Sequence, residues 1–405
     1  MTNHQNITIM KKIITILPVF LAVFSSKGQS FIQAYQDRAN QVTQTNITSN
    51  LQQFSNLGIK TTGSLNNANA LTWIKNKYLS YGYSASQIVE DPFTFGNTSS
   101  KNLVITKKGT VYPDKYVIIC GHFDSIYGPG VNDNGSGTSI ILEAARILRN
   151  VSTEYSIKFI HFSGEEQGLE GSKHYVNSVA YQNGIRVLDI KLVFNLDQVG
   201  GVMGNNNNTV YCDQDQAGPT SNNAASAAVT QQLRNCTALY SSLQTAVDPA
   251  EDTDYIPFER KGEVITGFFE RIRSSYPHSS DDTFANTDPV YIYKIGKATV
   301  GALQHFAVAT SASSIVLGTK EGNSPTHSLE NLSIYPNPSK ETVNIELADT
   351  GIRDFSFEIT ELSGKVLLKK DNETKVSVSA LPAGAYIGLV KAGGQTAVRK
   401  ILIEK

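Results

Sequence analysis

Several apolar runs in this sequence end in side chains that could do chemistry. Tyr116-Val117-Ile118-Ile119-Cys120 leads into Gly121-His122-Phe123-Asp124-Ser125, and Ile157 to Phe162 leads into Ser163-Gly164-Glu165-Glu166. The run Ile190 to Asn195 leads into Leu196-Asp197. A fourth acid, Asp133, stands in Val131-Asn132-Asp133-Asn134-Gly135-Ser136-Gly137. His278 stands in Tyr276-Pro277-His278-Ser279-Ser280-Asp281-Asp282, after a further apolar run. Two imidazoles and several carboxylates with no thiolate suit zinc, with manganese or cobalt in second place. One acid after a strand is ordinarily a helix cap or a turn residue. The adjacent Glu165 and Glu166 resist that explanation, because neighbouring carboxylates repel unless protons or cations compensate them. Such loops after several successive strands make a metal site the better reading.

The elements that must position these groups alternate. Phe31 to Leu57 is polar and reads as helical, and Leu65 to Tyr81 has apolar residues at helical spacing up to a stop at Gly82. Strands are expected at Tyr116–Cys120, Ile157–Phe162, Ile190–Leu196 and Val264–Phe269. Helices are expected at Ser136–Leu148, Gly171–Tyr181 and Val290–Val308. This order predicts an α/β fold, a mostly parallel sheet flanked by helices. Ligands in such sheets bind beyond the carboxyl ends of the strands, so the strand-end groups should converge on one rim.

From residue 311 the composition changes. Residues 311–328 are rich in Ser, Thr and Gly, as a linker is. Beyond them come seven short β-type runs, at 332–335, 342–347, 355–362, 365–368, 376–378, 386–390 and 398–403, which predict a small C-terminal β-sandwich over 329–405. At the other end, Met10-Lys11-Lys12 followed by the apolar Ile13 to Phe24 reads as a signal peptide over 1–28, with Met10 as an alternative start. That run is too short to span a bilayer of roughly 30 Å hydrocarbon. The α/β domain then occupies 29–310, and the mature protein is expected to be exported, with no stable membrane insertion.

With 405 residues the chain exceeds what one core usually serves. Its 35 Lys and Arg against 36 Asp and Glu supply no basic field, which argues against nucleic acid as a partner. Three Cys cannot build a disulfide scaffold, although Cys212 and Cys236 could pair in an oxidising compartment. His161 lies inside a strand and reads as a packing residue, while His174 and His305 sit in helical patterns away from the acidic loops.

The strings GHFDS, NDNGSG, SGEEQGLEGS, NLDQVG and PHSSDDT, in that order over about residues 50–310, resemble the M28 family of di-zinc peptidases. The resemblance implies a zinc exopeptidase fold with two Zn2+ per chain and peptide substrates. Carried over by motif, His122 and Asp197 would hold one zinc, Glu166 and His278 the other, and Asp133 would bridge them. Glu165 would be the general acid/base, and Asp124 would orient His122. The family also implies a cis peptide between Asp133 and Asn134. Asp252-Thr253-Asp254-Tyr255-Ile256-Pro257-Phe258 resembles a family stretch that commonly has His where Tyr255 stands. Phe268, Phe269, Tyr276 and Phe284 are candidate pocket walls. The resemblance supports an aminopeptidase, with a mono-zinc glutaminyl cyclase or a non-catalytic adhesin as alternatives. Leu332-Ser333-Ile334-Tyr335-Pro336-Asn337-Pro338, the Gly364-Lys365 turn, Leu381-Pro382-Ala383-Gly384-Ala385-Tyr386 and the closing Lys400 to Ile403 resemble type IX secretion sorting domains. This implies the type IX machinery as a partner and a secreted or cell-surface location.

Overall fold

A computed structural model describes residues 29–311, 332–347, 354–361, 366–392 and 395–404. The expected leader and all of the expected linker past residue 311 lie outside them. The chain divides into two units, 1–315 and 316–405.

In the first unit, the polar N-terminal stretch forms two helices, α1 (Gln33–Ala39) and α2 (Gln44–Ser55), broken ahead of Thr43. The Thr43 side chain accepts the Asn46 N–H and so caps α2. Helix α3 (Leu65–Ser80) is capped in the same way by Ser64 and stops before Gly82, which takes a left-handed φ of 88°. Strands β1 (Ile88–Phe95), β2 (Thr98–Lys107) and β3 (Tyr112–His122) follow, then α4 (Gly137–Leu148) and β4 (Tyr155–Phe162). The helix expected over 171–181 is a short α5 (Glu170–His174) that widens into a π turn at Tyr175–Ala180. A small hairpin, β5 (Tyr181–Gln182) and β6 (Ile185–Arg186), leads to β7 (Asp189–Leu196) and β8 (Thr209–Gln214). The unit ends with α6 (Asn223–Tyr240), β9 (Gln244–Pro249), α7 (Ile256–Glu259), β10 (Ile265–Glu270) and α8 (Pro289–Phe306).

Eight of these strands form one mixed sheet in the order β1-β2-β4-β3-β7-β10-β8-β9. Its centre, β4-β3-β7-β10, is parallel throughout. The pairs β1–β2, β2–β4 and β10–β8 are antiparallel. Both faces are covered. Along β3, Val117 and Ile119 enter the larger core with the helices α1 to α4, α6 and α8, while Ile118 and Cys120 enter a second core with Tyr175, Val176 and Phe258. A strand buried on both faces reads as an unbroken apolar run, which is why YVIIC was legible. Among the described residues no helix is long and apolar enough to cross a membrane.

Seven strands are seen among the described residues of the second unit. A three-stranded sheet holds β11 (Ser333–Tyr335), β12 (Thr342–Glu346) and β15 (Lys375–Ser377). A four-stranded sheet has the order β14 (Val366–Asp371), β13 (Phe355–Thr360), β16 (Gly384–Ala392) and β17 (Gln395–Ile403). Val343, Ile345 and Val376 from the first sheet share a core with Phe357, Ile359 and Val390 from the second, as in a β-sandwich.

Candidate metal centre

The four parallel central strands point their carboxyl ends the same way, and each delivers part of the candidate set. His122 is the last residue of β3, and Asp124 follows two positions later. Glu165 and Glu166 follow β4 across Gly164, whose φ of 79° turns the chain sharply, and Asp197 directly follows β7. Asp133 sits in the kinked turn Val131–Ser136 ahead of α4, with a non-helical φ of −111° and ψ of 91°. His278 lies in the loop beyond β10, at a left-handed φ of 57°. The peptide bond between Asp133 and Asn134 is cis.

The structure brings all five expected metal ligands together around Asp133. Its Oδ1 lies 3.1 Å from His122 Nε2, and Asp197 Oδ1 lies 3.3 Å from that same nitrogen. Its Oδ2 lies 3.2 Å from His278 Nε2, which in turn lies 2.9 Å from Glu166 Oε2. Two donor sets, His122/Asp133/Asp197 and Asp133/Glu166/His278, therefore share one carboxylate. Glu165 lies farther out, with Oε2 3.9 Å from His122 Nε2, close enough to form a third, looser group with His122 and Glu166. His122, Asp124, Asp133 and Asp197 are buried, and His278 is the exposed member at 52%.

Asp124 holds the neighbouring loop. One carboxylate oxygen accepts the Glu165 N–H and the other the Glu166 N–H, each at 3.3 Å, and Thr62 Oγ1 donates to it at 3.0 Å. His122 Nδ1 lies 3.2 Å from the Asp124 backbone oxygen and 3.6 Å from its carboxylate. Asp124 thus carries the backbone of both glutamates as well as bordering the histidine.

Crowding of acids in a dry site sets the proton affinities. Burial pushes the Glu165 carboxyl well above the usual range; His122 pulls it down, and Asp197, Asp254 and Asp124 raise it further. Burial, with Asp133 beside it, pushes Glu166 up to about 8. For His122, burial works against protonation, but Asp197, Glu165, Asp124 and Asp133 outweigh it and raise the imidazole well above its ordinary value. His278 is raised to about 9, chiefly by its hydrogen bond with Asp133. These side chains favour positive charge in their midst. Their donors are oxygens and imidazole nitrogens, and the buried Glu166 Oε1 has no hydrogen-bond partner. Both features fit zinc.

Several supporting residues carry weak sequence signals. Asn132 Nδ2 donates to both Glu270 oxygens at 3.1 Å, and its Oδ1 accepts the Gly200 N–H at 2.7 Å. Glu270 also accepts from Gly201 N and Ser274 N. Asn134 Nδ2 donates to the Leu196 carbonyl at 2.8 Å. These bonds tie the Asp133 loop to the loop bearing Asp197 and to the segment after β10. The two asparagines flank Asp133 in NDNGSG, which is the one signal that could have flagged them.

The remaining histidines among the described residues have structural partners. Buried His161 lies 2.9 Å from the Tyr78 hydroxyl, His174 pairs with Asp91 at 3.1 Å, and His305 lies 2.9 Å from the Tyr240 hydroxyl. Tyr255 is buried and donates to Asp213. Cys120, Cys212 and Cys236 are all buried and unpaired, so Cys212 and Cys236 are not joined. The expectation for the pocket walls needs correction at Phe268, which is fully buried against Phe194 with ring centroids 5.5 Å apart and belongs to the core. Phe269 is buried too, with Arg273 over its ring.

Residues 102–303 match the model of peptidase family M28. The α/β unit belongs to that family. Residues 333–404 match the secretion system C-terminal sorting domain, so the second unit is a sorting domain. Aminopeptidase YwaD of Bacillus subtilis is 44% identical over 109 residues, which are 26% of this chain and 23% of that protein. The aminopeptidase LapA of Legionella pneumophila superposes with a TM-score of 0.58 at 20% identity, covering 70% of this chain and 78% of that one. A glutaminyl cyclase of Macrostomum lignano superposes with a TM-score of 0.59 at 15% identity, covering 70% and 97%. At such identities the two superpositions speak for the fold alone. The chain spans between 19% and 34% of the length of the curated relatives it matches first.

Proposed function

We propose that this M28 peptidase is an exported aminopeptidase that removes N-terminal residues from peptides with two co-catalytic zinc ions. One observation carries the reading: the two oxygens of Asp133 face two separate histidine-and-carboxylate sets. His122 and Asp197 would hold one ion, Glu166 and His278 the other, with Asp133 between them. Bound there, zinc would supply Lewis acidity towards the scissile carbonyl and an attacking water.

The chain's own residues do the rest. Glu165, near the donors without joining either set, takes a proton from the attacking water and returns it to the leaving amine. Burial raises its proton affinity towards what such a shuttle needs. Asp124 acts by position, fixing the Glu165–Glu166 backbone and bordering His122. The sorting domain supports delivery by type IX secretion to the surface or the medium.

A mono-zinc glutaminyl cyclase would need only one of the two donor sets. The complete second set around His122 favours two ions and hydrolysis. The deciding experiment is a panel of substrates with chromogenic groups released from the N-terminal or the C-terminal side, plus an N-terminal glutaminyl peptide, with and without chelator. Chelator-sensitive release of N-terminal residues is the expected result. Cyclisation without hydrolysis, or turnover indifferent to chelator, would refute the reading.

A further inference from the structure

Most of the centre is fixed by strand ends, but His278 is not. It is the exposed donor, in a loop whose short bonds are mostly internal: Ser279 Oγ to the Tyr276 carbonyl, Tyr276 N to Ser274 Oγ, and Asp281 N to Ser279 Oγ. A flexible loop would present an imidazole at many positions, and ordering it has an entropic cost. Something must hold it against Asp133.

Asp282 has the required geometry. It lies four residues beyond His278, is 2% exposed, and its own N–H bonds the Ser279 carbonyl at 3.2 Å. Its two carboxylate oxygens reach across to the other loop. Oδ1 accepts the Asn132 N–H at 2.7 Å and Oδ2 accepts the Asp133 N–H at 3.0 Å. Its backbone carbonyl also accepts the Val131 N–H at 3.3 Å. A carboxylate accepting two backbone N–H groups is strong and directional, and here it locks two loops face to face. Gly128 adds a steric reason for close registry, since a Cβ at that position would stand 1.8 Å from the Ser279 carbonyl oxygen.

The Asp133 loop has other anchors. Asn134 binds the Leu196 carbonyl, Asn132 binds Gly200 and Glu270, and the Gly137 N–H binds Asn134 Oδ1. Without the Asp282 clamp, Asp133 keeps its place beside His122 and Asp197, whereas His278 loses its link to Asp133. The damage should fall on one donor set.

We propose that Asp282 is a positioning residue that selectively builds the Asp133/Glu166/His278 zinc set by clamping the His278 loop to the backbone of Asn132 and Asp133. This rests on the two-zinc reading above. Residues that orient a metal ligand typically contribute 10–100-fold to metal affinity.

The test measures metal affinity, not turnover. Wild type, Asp282→Asn and the neighbouring Asp281→Asn, at an exposed residue, are stripped of metal and titrated with zinc against a competing chelator. The fold is followed by circular dichroism. Asn keeps the size of Asp282 but turns an amide N–H2 towards one of the two backbone donors. Wild type and Asp281→Asn should take two ions alike. Asp282→Asn should keep one at wild-type affinity and bind the other about 10–100-fold more weakly. Equal affinities in Asp282→Asn and wild type would overturn the proposal. Equal weakening of both ions, or loss of the fold, would also overturn it, since Asp282 would then serve stability at large. A wild type that binds fewer than two ions would instead sink the two-zinc reading and the proposal with it.

Discussion

Glu165→Gln and Glu166→Gln make the same chemical change at adjacent positions and should fail differently. Both replacements keep size and remove one negative charge. Glu166 Oε2 lies 2.9 Å from His278 Nε2, within the 2.9–3.3 Å at which the members of the two sets approach each other. Glu165 Oε2 lies 3.9 Å from its nearest imidazole nitrogen, outside that range. Glu165→Gln should therefore retain both zinc ions and lose the proton shuttle. A positioned base is worth roughly 10²–10⁴ in rate, or about 3–5 kcal/mol at about 1.4 kcal/mol per decade. Glu166→Gln takes a charged donor from a set of three, so one ion should be lost or weakly held. Its turnover should recover in part with excess zinc, while Glu165→Gln should not respond. Elemental analysis of the purified variants and turnover across a zinc titration separate the two. If Glu165→Gln loses metal and Glu166→Gln keeps both ions, the roles are reversed and the reasoning from these distances is wrong.

A chain ending at Ser311 should keep full specific activity and lose export by its native host, because every candidate site residue lies in the first unit; lost turnover in the folded, zinc-loaded truncation would contradict this. Burial pushes His161 down to about 3, against about 6.5 in an unfolded chain. Between those values the unfolded state binds the proton that the folded state refuses, so this residue's contribution is whole above pH 6.5 and is lost as pH falls, by up to about 1.4 kcal/mol per pH unit. Urea melts of wild type and His161→Gln from pH 7 to pH 4.5 should show the wild type losing stability more steeply, and parallel curves would refute the assignment.

The legible parts of the sequence were those whose signal is local. YVIIC and IKFIHF are strands buried on both faces, and the abrupt change from apolar run to Gly, His or acid marks the strand ends that carry His122 and Glu165. Helix α6, by contrast, is rich in Ala, Asn, Gln and Thr and buries only Ser226, Thr230, Leu233, Cys236, Thr237 and Tyr240, a stripe too thin to announce itself. The residues that steady the centre were opaque for another reason. Asn132 and Glu270 are 138 positions apart, and no local pattern says that they meet. Phe268 shows the same limit from the other side: an aromatic on a strand looks alike in sequence whether it lines a cleft or fills a core. The family resemblance supplied roles that spacing alone left open.

The hydrogen bond between Asp133 and Asp282 joins positions 149 apart in the chain, and the loop carrying His278 follows β10, which pairs with β7. During synthesis, His122, Asp133, Glu165, Glu166 and Asp197 all emerge ahead of the last donor. A chain cut before β10 lacks His278 and so lacks one of the two candidate donor sets. The two-metal peptidase activity proposed above would then be absent from ribosome-bound intermediates. On that reading, the chain order would hold the activity back until residue 282 has been made.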